Sequence, residues 1–287
     1  MSAPRVRPPI FARQGWYPEG EQACRAALEG YRRSFPGAPT GSLAGVVPHA
    51  GWVYSGRLAA WTFAALSAAA PGVVFVFGGH LGPGDPGACM PEGAFGTPLG
   101  PVEVEPELAE ALVRRFGLAR ETPEEFEPDN TLELQMPILK ATWPAARVVA
   151  IQAPPGPVAL ELGRAAAEEA GRRGLDCLAI GSTDLTHYGR NYGFTPQGSG
   201  AGALRWSKEE NDRPFLEHLL AGRPAEATAH ALAHRSACCP GAAAAAVSFA
   251  LARGATRGAL LEHTTSHEVE GRGGEPRMWV GYAGLVF

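Results

Sequence analysis

Several signatures that would have named a chemistry are missing from this chain. A G-x-G-x-x-G run at a strand end and a G-x-x-x-x-G-K-[ST] loop are both absent, so no nucleotide site is signalled. Ser182 follows an apolar run but lacks the G-x-S-x-G elbow of a serine hydrolase. His230 and His234 share the spacing of H-E-x-x-H without its glutamate, which leaves them the face of a helix. Positive charge is not in excess: 25 Lys and Arg oppose 29 Asp and Glu, for a net charge of −4. That balance supplies no field for nucleic acid. The five cysteines (Cys24, Cys89, Cys177, Cys238 and Cys239) are odd in number and irregularly spaced, unlike a secreted disulfide framework. Residues 1–18 hold no apolar stretch of signal-peptide length, and the longest apolar tract, from Gly241, is too short and Ala-rich to span a membrane. A soluble, cytoplasmic protein with neither nucleic-acid nor membrane partner is expected.

What the chain does have is a regular alternation of elements. Its 287 residues are 45% hydrophobic, enough for a large core. Helical patterns run over 19–35, 55–70, 105–116, 158–173, 212–221 and 240–252. Pro106 and Pro240 suit first turns, and Gly117 and Gly174 suit ends. Strand patterns lead up to His49, His80 and His187 and recur from Arg147, Arg257 and Trp279. The alternation predicts an α/β sandwich with a central, mixed and largely buried sheet flanked by helices, one domain over 1–287. The Gly- and Pro-rich stretch 78–100 reads as a long loop beside His80.

Three of those apolar runs end in histidine: GSLAGVVPH at His49, GVVFVFGGH at His80 and LDCLAIGSTDLTH at His187. In open α/β sheets the strand carboxyl ends share one edge, where ligands bind. Three histidines there can converge although the chain separates them widely. Imidazole is the commonest metal ligand and a proton shuttle near neutral pH. Cys238 and Cys239 directly precede a helix that Pro240 can start. The unpaired amides of a helix N-terminus favour a thiolate, so a cysteine there serves as metal ligand or nucleophile, or else both are small buried apolar residues. Trp16, Tyr17, Trp52, Tyr54 and Tyr188 flank these motifs, either as core packing or as walls of a pocket for a planar ligand.

The ordered set RPPIFARQGWYP, VPHAGWVYSG, FVFGGH, FGTPLGPVEV, STDLTHYG, SACC, TSHEVEG and VGYAG resembles the MEMO-like family from end to end. Bacterial members of that family are known as AmmeMemoRadiSam system protein B, and the family is similar to class III extradiol (LigB-type) dioxygenases. The resemblance implies a dioxygenase-like fold and a non-haem oxidoreductase using Fe(II), with copper or zinc as alternatives. Its metal ligands would be His49, His80 and Cys238, with His187 as acid or base and Asp184 fixing its tautomer. Asn130, Tyr188, Tyr54 and Trp16 would contact substrate. It implies a small-molecule substrate of the aromatic, catechol-like kind, or a peptide, and a radical-enzyme partner in a modification pathway. A non-catalytic protein that binds metal or a partner in the same cleft is the alternative.

This chain departs from the resemblance in four places. A cysteine stands for the dioxygenase carboxylate ligand, and a thiolate is softer, favouring Cu(I), Zn or thiolate-tolerant iron. The stretch Asp129-Asn130-Thr131-Leu132-Glu133 carries Asn130 where the family has histidine, and asparagine cannot shuttle a proton. Glu133 reads as a polar anchor of the following helix or of His49; a zinc-hydrolase reading would need it as base. His263 and His267 replace an aromatic residue and a glycine, either as loop histidines or, for His267, as a substitute acid or base. Cys239 replaces the glycine of the family's Cys–Gly pair.

Overall fold

The Val-, Ile- and Phe-rich runs lie side by side as parallel strands and set the frame for the rest. The computed structural model describes residues 4–271 and 273–287. In it, strands Ala44–Val47, Cys177–Ser182, Val73–Gly78 and Arg147–Gln152 are neighbours in that order, all parallel. Every residue of the first three is buried, as strands covered on both faces require. Spatial order differs from chain order because the connections cross over. Helix Trp52–Leu66 carries the chain past Cys177–Ser182, and helix Pro157–Arg172 carries it back past Val73–Gly78. The carboxyl ends of all four strands therefore share one edge of the sheet.

Antiparallel additions make the sheet mixed. Trp279–Val286 pairs with Ala44–Val47 and also with His187–Tyr188 and Ala259–Thr265. At the other edge Ala88–Cys89 pairs antiparallel with Arg147–Gln152, and Ala119–Arg120 pairs with Ala88–Cys89. The expected α/β architecture, a buried mixed sheet between helices, is what forms. The stretch 78–100 is less bare than expected, since it contains the short strands Ala88–Cys89 and Ala94–Phe95.

The helices begin and end on the residues that chemistry marks. Pro106 and Pro240 occupy first turns, where a missing N–H costs nothing. Gly117 closes its helix at φ 63°. The helix expected from Ser55 starts earlier, at Trp52, because Trp52 is buried and its N–H is held by the Trp16 carbonyl at 2.7 Å. Before helix Arg213–Leu220 the chain widens into a π turn, Ser207–Asp212. Pro214 accounts for this: its ring cannot take the regular i−4 arrangement inside a continuing helix.

Helix Pro240–Ala252 is a core helix, buried from Pro240 to Ala250. Alanine side chains let its backbone come close to its neighbours. A Cβ added at Gly163 would stand 2.0 Å from the Ala245 carbonyl oxygen, and one at Gly181 2.5 Å from that of Ala242. The helix is thereby pressed onto both helix Pro157–Arg172 and strand Cys177–Ser182. Its N-terminus, with Cys238 and Cys239, arrives at the carboxyl edge of the sheet. Among the described residues no helix is long and apolar enough to cross a membrane.

Candidate metal centre

His49 and His80 are each placed by the turn that ends their strand, whereas His187 begins the short strand His187–Tyr188. His49 follows Ala44–Val47 by two residues and is 2% exposed. Its main-chain N–H donates to Asp184 Oδ1 at 2.7 Å. Its Nδ1 lies 3.1 Å from Ser182 Oγ, so the other ring nitrogen, Nε2, faces Cys238 Sγ at 3.3 Å. His80 follows Val73–Gly78 across Gly79, whose φ of +98° is a conformation glycine supplies without a steric penalty. The Gly79 N–H donates to Thr131 Oγ1 at 2.7 Å, and Thr131 is itself tied to Asp129. The rings of His49 and His80 meet edge to face, centroids 5.0 Å apart.

The cysteines are brought in by main-chain bonds to the loop after Cys177–Ser182. Cys238 N–H donates to the Asp184 carbonyl at 3.1 Å, and Asp184 N–H donates back to Cys238 Sγ at 3.3 Å. Cys239 N–H donates to Thr183 Oγ1 at 3.0 Å, and the two sulfur atoms are 3.6 Å apart. Among the described residues, His49, His80, Cys238 and Cys239 offer donor atoms that all lie within 4.8 Å of one another.

The electrostatics of this group are coupled. Burial alone would pull His49 down, but the Asp184 carboxylate and the Cys238 thiolate outweigh it and raise its pKa to about 9. Burial works against ionising Cys238, yet the Cys239 thiol, His49 and His80 stabilise its charge and hold it well below an ordinary thiol. Burial and the neighbouring Cys238 thiolate push Cys239 well above one. Burial also raises Asp184, against the pull of His49. A cysteine whose ionised form is favoured, beside two imidazoles, is a soft, nitrogen-and-sulfur donor set. It fits zinc, copper or thiolate-tolerant iron rather than calcium or magnesium, which take oxygen ligands.

The two histidines of the group line a cleft of ≈ 670 Å³ together with Trp16, Tyr54, Asn130 and His187, among others. A hollow of ≈ 420 Å³ reaches His80, His187 and Cys238 from the side of helix Pro224–His234. Of the residues singled out in the sequence, Trp16, Tyr54 and Asn130 thus share the cleft with the histidines. Asn130 donates its amide to the His49 carbonyl at 3.1 Å, and the Tyr54 hydroxyl donates to Glu270 at 3.0 Å. His187 shares both hollows with His80 but lies outside the four-donor group.

Other expectations are corrected by the structure. Tyr188 turns away from the cleft: it is fully buried, stacked on Trp279 at 4.2 Å, and its hydroxyl donates to the Gly198 carbonyl. Tyr192 lines the cleft instead, its ring edge-on to His187 at 5.0 Å. A short helical turn between Gly189 and Gly193, both at positive φ, folds Tyr192 back over His187. Those two glycines were the available signal. Asp184 does not fix the tautomer of His187; the Leu185 carbonyl accepts from His187 Nδ1 at 3.1 Å. Asp184 serves His49 and Cys238. Glu133 anchors neither the following helix, Met136–Thr142, nor His49. Its carboxylate accepts the N–H groups of Ile10, Phe11 and Ala12 and the Tyr17 hydroxyl, so it pins the N-terminal segment and is committed away from any hydrolytic role. His263 belongs to strand Ala259–Thr265 and pairs with buried Asp212 at 3.2 Å; His267 sits in the short helix Ser266–Glu270.

The profile of the family described as "Memo-like protein" matches residues 7–286. A MEMO1 family protein of Thermococcus onnurineus (strain NA1) is 32% identical over 296 aligned residues, covering 98% of this chain and 99% of that one. MEMO1 family protein PYRAB05390 of Pyrococcus abyssi is 34% identical over 294, again 98% and 99%. Among solved structures, the uncharacterized protein JW3007 from Escherichia coli K12 superposes with a TM-score of 0.46 at 14% identity, over 86% of this chain and 100% of that one.

Proposed function

This chain belongs to the Memo-like family, and from that footing we propose that it is a metal-dependent oxidoreductase working on a small, planar substrate in the cleft over His49, His80 and Cys238. The observation that carries the reading is the meeting of two imidazoles and a cysteine sulfur, with both imidazoles lining an aromatic-walled cleft. A redox-active, thiolate-tolerant ion held there, iron or copper, would supply Lewis acidity and electrons toward O2.

The chain's own residues have distinct parts in this reading. His49 and His80 would hold the ion through ring nitrogens, and Ser182 Oγ, 3.1 Å from His49 Nδ1, orients that ring. His187 donates from Nδ1 to the Leu185 carbonyl, which leaves Nε2 as the ring nitrogen for proton exchange with a substrate. Trp16, Tyr54 and Tyr192 offer flat apolar surface for a ring. Asn130 cannot titrate, so it holds the His49 carbonyl and leaves proton transfer to His187.

The test is metal content of protein purified without oxygen, followed by O2 uptake across a panel of catechols. About one equivalent of metal with uptake on at least one substrate is the expected result. No bound metal would end the reading. A second reading, metal binding without turnover, is favoured by Cys239 at 3.6 Å from Cys238, a donor surplus to the three. Metal with no uptake on any substrate would select it.

A further inference from the structure

We infer that Cys239 is a fourth ligand, so that the centre in this chain is a His2Cys2 set of His49, His80, Cys238 and Cys239 rather than a three-ligand set. The inference rests on the metal-centre reading above and extends it to a residue that reading does not use.

Donor spacing is the first support. Around one tetrahedral ion with bonds of about 2.3 Å to sulfur and about 2.0–2.1 Å to nitrogen, two thiolates stand about 3.8 Å apart and a thiolate and an imidazole about 3.5–3.6 Å. Here the two sulfur atoms are 3.6 Å apart, and Cys238 Sγ to His49 Nε2 is 3.3 Å. All four donors lie within 4.8 Å of one another, so none has far to travel. Placement is the second support. Cys239 is 1% exposed, and its N–H is fixed to Thr183 Oγ1 on the same loop that holds Cys238. Cys239 packs with the apolar core, yet its sulfur stays 3.6 Å from that of Cys238 and within 4.8 Å of a ring nitrogen of both His49 and His80. Pro240, directly after it, starts a helix buried from Pro240 to Ala250, which restrains both cysteines.

When the metal–sulfur bond forms, the Cys239 thiol proton is released to solvent and no oxidant is needed. Four protein ligands fill a tetrahedral shell, the arrangement of closed sites; a catalytic site keeps a position open. On this ligand set a substrate reaches the ion only by displacing one of the four.

The test is X-ray absorption at the zinc edge on the intact chain, kept reduced and loaded with one equivalent of Zn(II). Two sulfur and two nitrogen neighbours are expected, at about 2.3 Å and about 2.0–2.1 Å, with one sulfur lost in Cys239→Ala. Cys239→Ala should also weaken Zn(II) affinity by more than the roughly 10- to 100-fold that loss of an outer-shell partner costs. A single sulfur in the unmutated protein overturns the inference while leaving the metal centre in place. Failure to bind Zn(II) at all overturns the metal-centre reading, and the fourth ligand with it. The sulfur count of the unmutated protein needs no variant to fold.

Discussion

Asp184 holds Cys238 by two main-chain bonds at once: its N–H donates to the cysteine sulfur at 3.3 Å while its carbonyl accepts the cysteine N–H at 3.1 Å. Its carboxylate meanwhile accepts the His49 N–H at 2.7 Å. One residue thus joins the ends of two parallel strands to the start of the Ala-rich helix, and the candidate ligands inherit their spacing from it.

Replacing that carboxylate should loosen the site. Asp184→Ala leaves the buried His49 N–H without an acceptor, at a cost of about 1–3 kcal/mol. Metal affinity should fall about 10- to 100-fold, as for other outer-shell partners, measured by competition with a chelator. Asp184→Asn retains an acceptor oxygen and should fall less. Affinity unchanged in both variants would remove Asp184 from the positioning role.

The two candidate histidine ligands should separate in stability although both lose metal. His49 is buried and hydrogen-bonded on both ring nitrogens, so His49→Ala should cost about 2–4 kcal/mol by denaturant unfolding, in the range of buried large-to-small changes. His80 is exposed, and His80→Ala should stay within about 0.5 kcal/mol of the parent, as surface changes do. Metal retained in His80→Ala would take that residue out of the ligand set.

His187 should act on protons rather than on metal. His187→Gln is expected to keep most of the bound metal while O2-dependent turnover falls about 10²- to 10⁴-fold. Equal loss of both would make it a ligand. Asn130→His is the companion variant: it puts a titratable ring into the cleft and should raise turnover, and no change would assign Asn130 only to holding the His49 carbonyl.

Glu133 should matter to the fold and leave the metal alone. Glu133→Ala strips acceptors from three main-chain N–H groups and from the Tyr17 hydroxyl. A loss of about 2–4 kcal/mol follows from leaving buried donors unpaired, with metal content preserved in the folded fraction. Metal loss without destabilisation would place Glu133 in the site after all.

Much of the architecture was legible because it is local. The runs before His49 and His80 read as buried strands from their β-branched and aromatic residues, and Pro106 and Pro240 marked helix starts to the residue. The short π turn Ser207–Asp212 was not legible, since its cause is a proline acting on the turn before it within a longer helix. Trp52-Val53-Tyr54 resembles a strand in composition and became helix because Trp52 is buried and its N–H is bonded to Trp16 across the chain.

By itself the sequence determined which histidines end buried strands, and hence that His49 and His80 stand on one sheet edge, because parallel strands share their carboxyl ends whatever the loops do. It also determined the family, through motifs kept in order along the whole chain. Only the tertiary structure decided which neighbouring side chains face the cleft. Tyr188 and Tyr192 lie four residues apart, and stacking on Trp279 turned one inward while two positive-φ glycines folded the other over His187. Only the tertiary structure put the Cys238–Cys239 pair beside His49 and His80. That placement depends on the close approach of an alanine helix to the sheet and on a hydrogen bond between Asp184 and His49 across 135 residues of chain, and no local periodicity encodes contacts of that range.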